Sequence, residues 1–103
     1  MSSPAKMMLV ILSQNDMHGE VPLYEAVVRR MVQLEVRGAT VNVGEMGFGS
    51  HHKVHHKRLF GVADDRPVTI TAVDSEERLR KIAPEIRKML PDGIIVMTDA
   101  EVL

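Results

Sequence analysis

The sequence predicts an α+β fold of the ferredoxin-like kind, a split βαβ sandwich (βαββαβ) with one antiparallel sheet and two helices on one of its faces. Three observations carry that prediction. Apolar periodicity runs along the chain in the order β-α-β-β-α-β, and each helical stretch carries a single apolar stripe. The third is size: 103 residues, 45% of them hydrophobic, supply one core and leave no room for a second domain.

Residues 1–5 read as a disordered leader and residues 6–103 as the domain. Met7 to Leu12 is a continuous apolar run closed by Ser13-Gln14-Asn15-Asp16, too short for a helix and suited to a strand buried on both faces. From Pro22, the residues Leu23, Ala26, Val27, Met31 and Leu34 fall on one helical face, with Pro22 in the first turn and Gly38 in the left-handed position past the end. Thr40 to Val43 alternates as a strand and leads into Gly44-Glu45-Met46-Gly47-Phe48-Gly49, after which a polar loop is expected to about Arg58.

Val68 to Val73 alternates at period two, with Pro67 at the strand mouth, where a sheet tolerates it. Asp74 and Glu77 have the spacing of a capping box. Leu79, Ile82, Ala83, Ile86, Met89 and Leu90 then form the stripe of a second helix, in which the interior Pro84 predicts a kink or break. Pro91-Asp92-Gly93 makes a turn before the strand Ile94 to Met97, and a short terminal strand is expected over 101–103. The sheet face away from the helices needs cover, and Thr69 and Thr71 make part of it polar, facing solvent or a partner subunit.

A net charge of −1 gives no global positive field to hold nucleic acid or an anionic membrane. The absence of cysteine removes disulfides, thiolate nucleophiles, Fe–S clusters and Cys-based zinc sites. No apolar run approaches the ~18 residues of a membrane span, so the expectation is a cytoplasmic protein without membrane insertion.

Two stretches can carry chemistry. The glycines around Phe48 match neither the Rossmann fingerprint nor a Walker loop, but they allow backbone amides to approach a flat or anionic ligand. The alternative is a bulge or tight turn with Phe48 in the core. Residues 50–58 hold four of the five histidines with Lys53, Lys57 and Arg58, so local charge rises from +3 toward +7 as imidazoles protonate around ~6.5. Three readings stand. An anion site would use Lys53, Lys57, Arg58 and the imidazoles. A metal site would use His51 with His55, or His52 with His56, at i, i+4 on a helical face, completed by Asp16, His18, Asp64 or Asp65. The third is a solvated loop. No nucleophile is paired with a base by spacing, so no catalytic residue is assigned and the protein is read as a non-enzyme.

His18-Gly19, Pro22-Leu23-Tyr24-Glu25-Ala26, Arg37 to Val41, Gly44, Gly47-Phe48-Gly49, His55, Arg66-Pro67-Val68 and Val73 to Glu77 together resemble the PII-like family catalogued as domain of unknown function 190. The likeness runs from about Met7 to Leu103 and extends more distantly to the PII nitrogen-regulatory proteins. It implies a homotrimer with adenine nucleotides in clefts between subunits, beneath a loop that signals to a regulated protein. Members of that family are often encoded near fluoride exporters, so the resemblance suggests a transport-linked partner without identifying one. Carried over by motif, Gly47, Phe48 and Gly49 would wall the cleft, Thr40 would lie near the base, and Asp92-Gly93 would stand on the phosphate side. His55, Lys57 and Arg58 join this nucleotide-binding set on charge alone.

The sequence departs from the PII pattern where Ile94 follows Gly93 in place of a lysine, and it lacks the C-terminal arginines. AMP or ADP is therefore expected rather than ATP, with no cofactor required. Val43 stands where the family usually has an arginine, and His56 where a threonine is common. The alternative function is a divalent-metal-binding or metal-responsive trimer using His51, His52, His55 and His56.

Overall fold

The computed structural model describes residues 4–48, the backbone of 54–56, and residues 65–103. Its main sheet holds β1 (Ala5–Ser13), β4 (Ala39–Val43), β7 (Pro67–Ser75) and β8 (Ile94–Asp99) in the order β4-β7-β1-β8, antiparallel at each contact. That is the expected split βαβ arrangement. Helices α1 (Leu23–Gln33) and α2 (Glu76–Met89) complete it. Two small ribbons are added: β2 (Met17–His18) with β3 (Val21–Pro22), and β5 (Met46–Phe48) with β6 (Val54–His56). Part of the stretch expected to be loop is therefore strand.

Strand alternation sorts the side chains. Met8, Val10 and Leu12 of β1 and Val68, Ile70 and Ala72 of β7 are buried against Leu23, Val27 and Met31 of α1 and Leu79, Ile82 and Ile86 of α2. Among the described residues, no helix lies over the opposite face. Register places Val96, Leu9, Thr71 and Thr40 in one row across it, and Ile94, Ile11, Thr69 and Asn42 in the next. The β1/β8 half of this open face is thus apolar and the β7/β4 half is polar.

The structure corrects several element ends. β1 begins at Ala5 rather than Lys6, and the Pro4 carbonyl accepts the Glu76 N–H at 2.8 Å, so the chain is engaged before the expected boundary. Pro22 is the N-cap of α1, one place earlier than expected, and the Leu23 N–H donates to the Asp16 carbonyl at 2.7 Å. The helix ends at Gln33, with Glu35 and not Gly38 in the left-handed conformation (φ 63°). The Val36 N–H reaches the Met31 carbonyl and the Glu35 N–H the Val32 carbonyl, both at 3.1 Å, the paired bonds of a Schellman motif. Helix α2 continues through Pro84 without a break, because the ring sits on the exposed side, where water can solvate the carbonyl it leaves unbonded. No strand forms over 101–103, which finds no pairing partner among the described residues.

The expected capping box is also shifted by one residue. Ser75 is the N-cap, its Oγ accepting the Arg78 N–H at 3.2 Å, with Glu76 and Glu77 at the positive end of the helix dipole. Asp74 instead points inward, 4% exposed. Its carboxylate accepts from the Arg37 N–H at 3.0 Å and the Ser75 N–H at 2.7 Å and faces the Arg78 guanidinium at 3.5 Å. It ties the loop after α1 to the start of α2.

At the same end Lys6 donates to Asp99, which raises the ammonium above its ordinary value and lowers the carboxyl below its own; a hydrogen bond from Arg80 lowers Glu76 in the same way. Both carboxylates therefore favour the fold above the usual carboxylate range, a contribution lost as pH falls through their lowered values. The Lys6 contribution is full below the ordinary lysine range and is lost above it.

Two stability measurements test these ends. Glu35→Gly should stabilise the protein by about 0.5–1 kcal/mol in denaturant titration, since a side chain at positive φ is strained and glycine is not. Asp74→Ala should destabilise it by about 2–3 kcal/mol, with Asp74→Asn losing less, because two backbone donors and a guanidinium lose a charged acceptor.

Candidate functional site

The predicted residues gather at two opposite edges of the sheet. Thr40 lies exposed on the edge strand β4, beside Thr71 of β7, on the open face. Beyond the end of β4, the ribbon of β5 and β6 sets Gly47 opposite His55 and Phe48 opposite Val54. Phe48 is 68% exposed, which overturns the reading that it plugs the core. Gly49, His51, His52, Lys57 and Arg58 lie outside the described residues.

Pro67 explains the glycines before Phe48. The Gly44 N–H donates to the Pro67 carbonyl at 2.7 Å, and a Cβ on Gly44 would come within 2.9 Å of the Pro67 Cγ; one on Gly47 would come within 3.2 Å. Both glycines let the chain fold closely over the proline ring. On the other side of β7, the Gln14 N–H donates to the Arg66 carbonyl at 2.8 Å and the Ser13 hydroxyl to Asp65. The entry to β7 is thus clamped between the exits of β1 and β4.

Asp92 and Gly93 sit at the other edge, in the turn that enters β8. Gly93 has φ 106°, and a Cβ there would lie 2.6 Å from the Ile11 carbonyl oxygen, so the fold requires glycine at this point. Arg87 of α2 holds the turn, donating to the Gly93 carbonyl at 3.0 Å and the Leu90 carbonyl at 3.1 Å.

Three strand spacings of ~4.8 Å put β8 about 14 Å from β4. A ligand touching both Thr40 and Gly93 of one chain would have to cross the open face over Leu9 or Ile11. An apolar floor does not suit phosphate. A site combining the β4 edge of one copy with the β8 edge of another needs no such crossing.

Of the metal candidates His51, His52, His55 and His56, only the backbone of the last two lies among the described residues. Residues 54–56 are strand, so the helical i, i+4 pairing of imidazoles does not apply there. Asp16 is used in its own turn, accepting from the Ser13 N–H at 3.2 Å. Among the described residues, no three His, Asp or Glu side chains gather to hold an ion.

Two groups were not singled out for the site from sequence. Asn42 joins Thr40 on the polar half of the open face, a pairing that alternation in Thr40 to Val43 signals. Arg87 had no such signal, because it reads as one more exposed charge of α2.

The sequence profile of the family described as "Uncharacterized ACR", DUF190, matches residues 5–102. A UPF0166 protein of Aquifex aeolicus is 26% identical over 98 residues, covering 95% of this chain and 92% of its own. Among solved structures, the chain is similar to CPII of Thiomonas intermedia K12, a nitrogen regulatory PII-like protein bound to ADP, AMP and bicarbonate, with TM-score 0.66 and 23% identity over 99% of this chain and 91% of that one. It is also similar to the divalent ion tolerance protein CutA1 of Ehrlichia chaffeensis, with TM-score 0.68 and 7% identity over 98% and 85%. At these identities both structures speak to the fold alone. Among the described residues, no helix is long and apolar enough to cross a membrane.

The packing over Pro67 is open to a double-mutant test. Gly44→Ala alone should destabilise the protein by about 1–3 kcal/mol, and Pro67→Ala in the same chain should recover most of that loss in thermal melts, because the clashing ring is gone while its carbonyl remains.

Proposed function

The chain belongs to the DUF190 family, and from that premise we propose that it is a PII-like regulatory protein: a homotrimer binding an adenine nucleotide between subunits and reporting its presence to a partner protein. AMP or ADP suits the charges better than ATP. The observation that carries this reading is the division of the open sheet face. Met7, Leu9, Ile11, Ile94 and Val96 form an apolar half that a second copy would cover, while Thr40, Asn42, Thr69 and Thr71 form a polar half at the β4 edge that can hydrogen-bond a ligand.

Support also comes from the separation of Thr40 and Gly93, which favours a cleft closed by two chains. The bound ADP and AMP of the similar CPII name the ligand class to try first. Residues 48–60 would carry the report, since they continue directly from Gly47 and Phe48 at the cleft wall. A ligand shifts such a segment only as far as it binds one of its arrangements better than another. The cytoplasm, a transport-linked partner and a binding role without catalysis complete the proposal.

Calorimetric titration of metal-stripped protein with AMP, ADP and ATP in chelator, with sedimentation equilibrium on the same sample, tests it. The expected outcome is a trimer taking up about one nucleotide per chain, with Thr40→Val and Thr71→Val each weakening binding roughly 3–10-fold through a lost neutral hydrogen bond. A monomer, or a trimer that gives no heat with any nucleotide and shows no binding by a second probe, would overturn it.

A further inference from the structure

A nucleotide brings negative charge, and of the cations that could meet it Lys53, Lys57 and Arg58 lie outside the described residues. Lys6, Arg29, Arg30, Arg78, Arg80 and Lys88 each face a carboxylate partner within 4.0 Å. Arg37 lies toward the other end of the sheet, beside Asp74; Arg66 is half-buried at the entry to β7, with its Nε enclosed; and Lys81 stands on the exposed side of mid-α2. Arg87 differs from all of these. It has no carboxylate partner among the described residues, yet its guanidinium is fixed by two backbone carbonyls at the turn into the edge strand β8. Two of its five N–H groups are used in this way, leaving three donors and the full charge for an anion.

We propose that, among the described residues, Arg87 contacts the phosphate of the bound nucleotide, a role that rests on the nucleotide reading above. The two carbonyl bonds hold the guanidinium in place before the ligand arrives, so little side-chain entropy remains to be lost on binding. One fixed cation suits one or two phosphates better than three.

The test compares adenosine, AMP and ADP on wild-type protein and on Arg87→Gln and Arg87→Lys, each checked for unchanged assembly. In the wild type, AMP and ADP should bind more tightly than adenosine. In Arg87→Gln that phosphate-dependent gain should fall about tenfold or more while adenosine affinity stays the same, and Arg87→Lys should restore part of it. An unchanged ratio of ADP to adenosine affinity in Arg87→Gln overturns the assignment while leaving the nucleotide reading intact. Equal weakening of adenosine and ADP also overturns it, since it would mark Arg87 as a support of the turn only. A wild type that binds none of the three overturns both readings together.

Discussion

A four-stranded sheet has two faces, and the two helices of the described residues cover only one of them. Everything distinctive about the molecule follows from that shortage. Alternation along β1 and β7 sends Met8, Val10, Leu12, Val68 and Ile70 under the helices, and by the same pleat it must send Met7, Leu9, Ile11, Thr69 and Thr71 to the other side. A one-residue slip would exchange the two sets, so the buried core also fixes the composition of the open face. That face is neither uniformly apolar nor uniformly polar. Its halves follow strand order, with β8 and β1 apolar and β7 and β4 carrying threonine and asparagine.

The main elements are legible in the sequence because their periodicities are direct consequences of burial. Their ends are less so, because ends are decided by contacts across the chain. Gly38 has the right composition for a helix stop, yet Glu35 takes the left-handed position: Val36 packs against the core and draws the chain back over Met31 three residues earlier. Asp74 and Ser75 are both good caps by type. Asp74 falls in phase with Val68, Ile70 and Ala72 and is carried inward by the strand, so Ser75 is left to cap the helix. The ribbon of β5 and β6 was hidden because glycines at 44 and 47 read as a loop, whereas they serve to pass the backbone over Pro67.

The candidate site was legible only in pieces. Thr40, Gly47, Asp92 and Gly93 could be marked one by one, but nothing in a linear sequence says that β4 and β8 become opposite edges of one sheet. Two of the four also have complete structural reasons for being glycine. Gly47 avoids the Pro67 ring and Gly93 avoids the Ile11 carbonyl, so a glycine pattern shared with nucleotide-binding relatives does not by itself assign a ligand. What points to a ligand instead is chemistry that the fold does not use up: threonines left on an open face and a guanidinium with no carboxylate partner among the described residues.

A site divided between two edges has a thermodynamic consequence that a pocket inside one chain lacks. A ligand that binds only where two copies meet stabilises the assembly by an amount that grows with its concentration, so occupancy and association become one linked equilibrium. The two ends of the ligand would then do different work. In the proposed site the base end, against the threonines of β4 and β7, would be common to every adenine nucleotide and would set whether the cleft is filled. The phosphate end, at the turn into β8, would be where AMP differs from ADP, so discrimination between them would arise there. Residues 48–60, the reporting segment, would continue from the base end. For phosphate number to reach them, the nucleotide must therefore pull the β8 edge of one chain and the β4 edge of its neighbour into a relative position that depends on that number. Such coupling requires the copies to be able to shift against each other. An apolar contact between open sheet faces suits that requirement, because it resists separation without fixing register as a continuous ladder of backbone hydrogen bonds would.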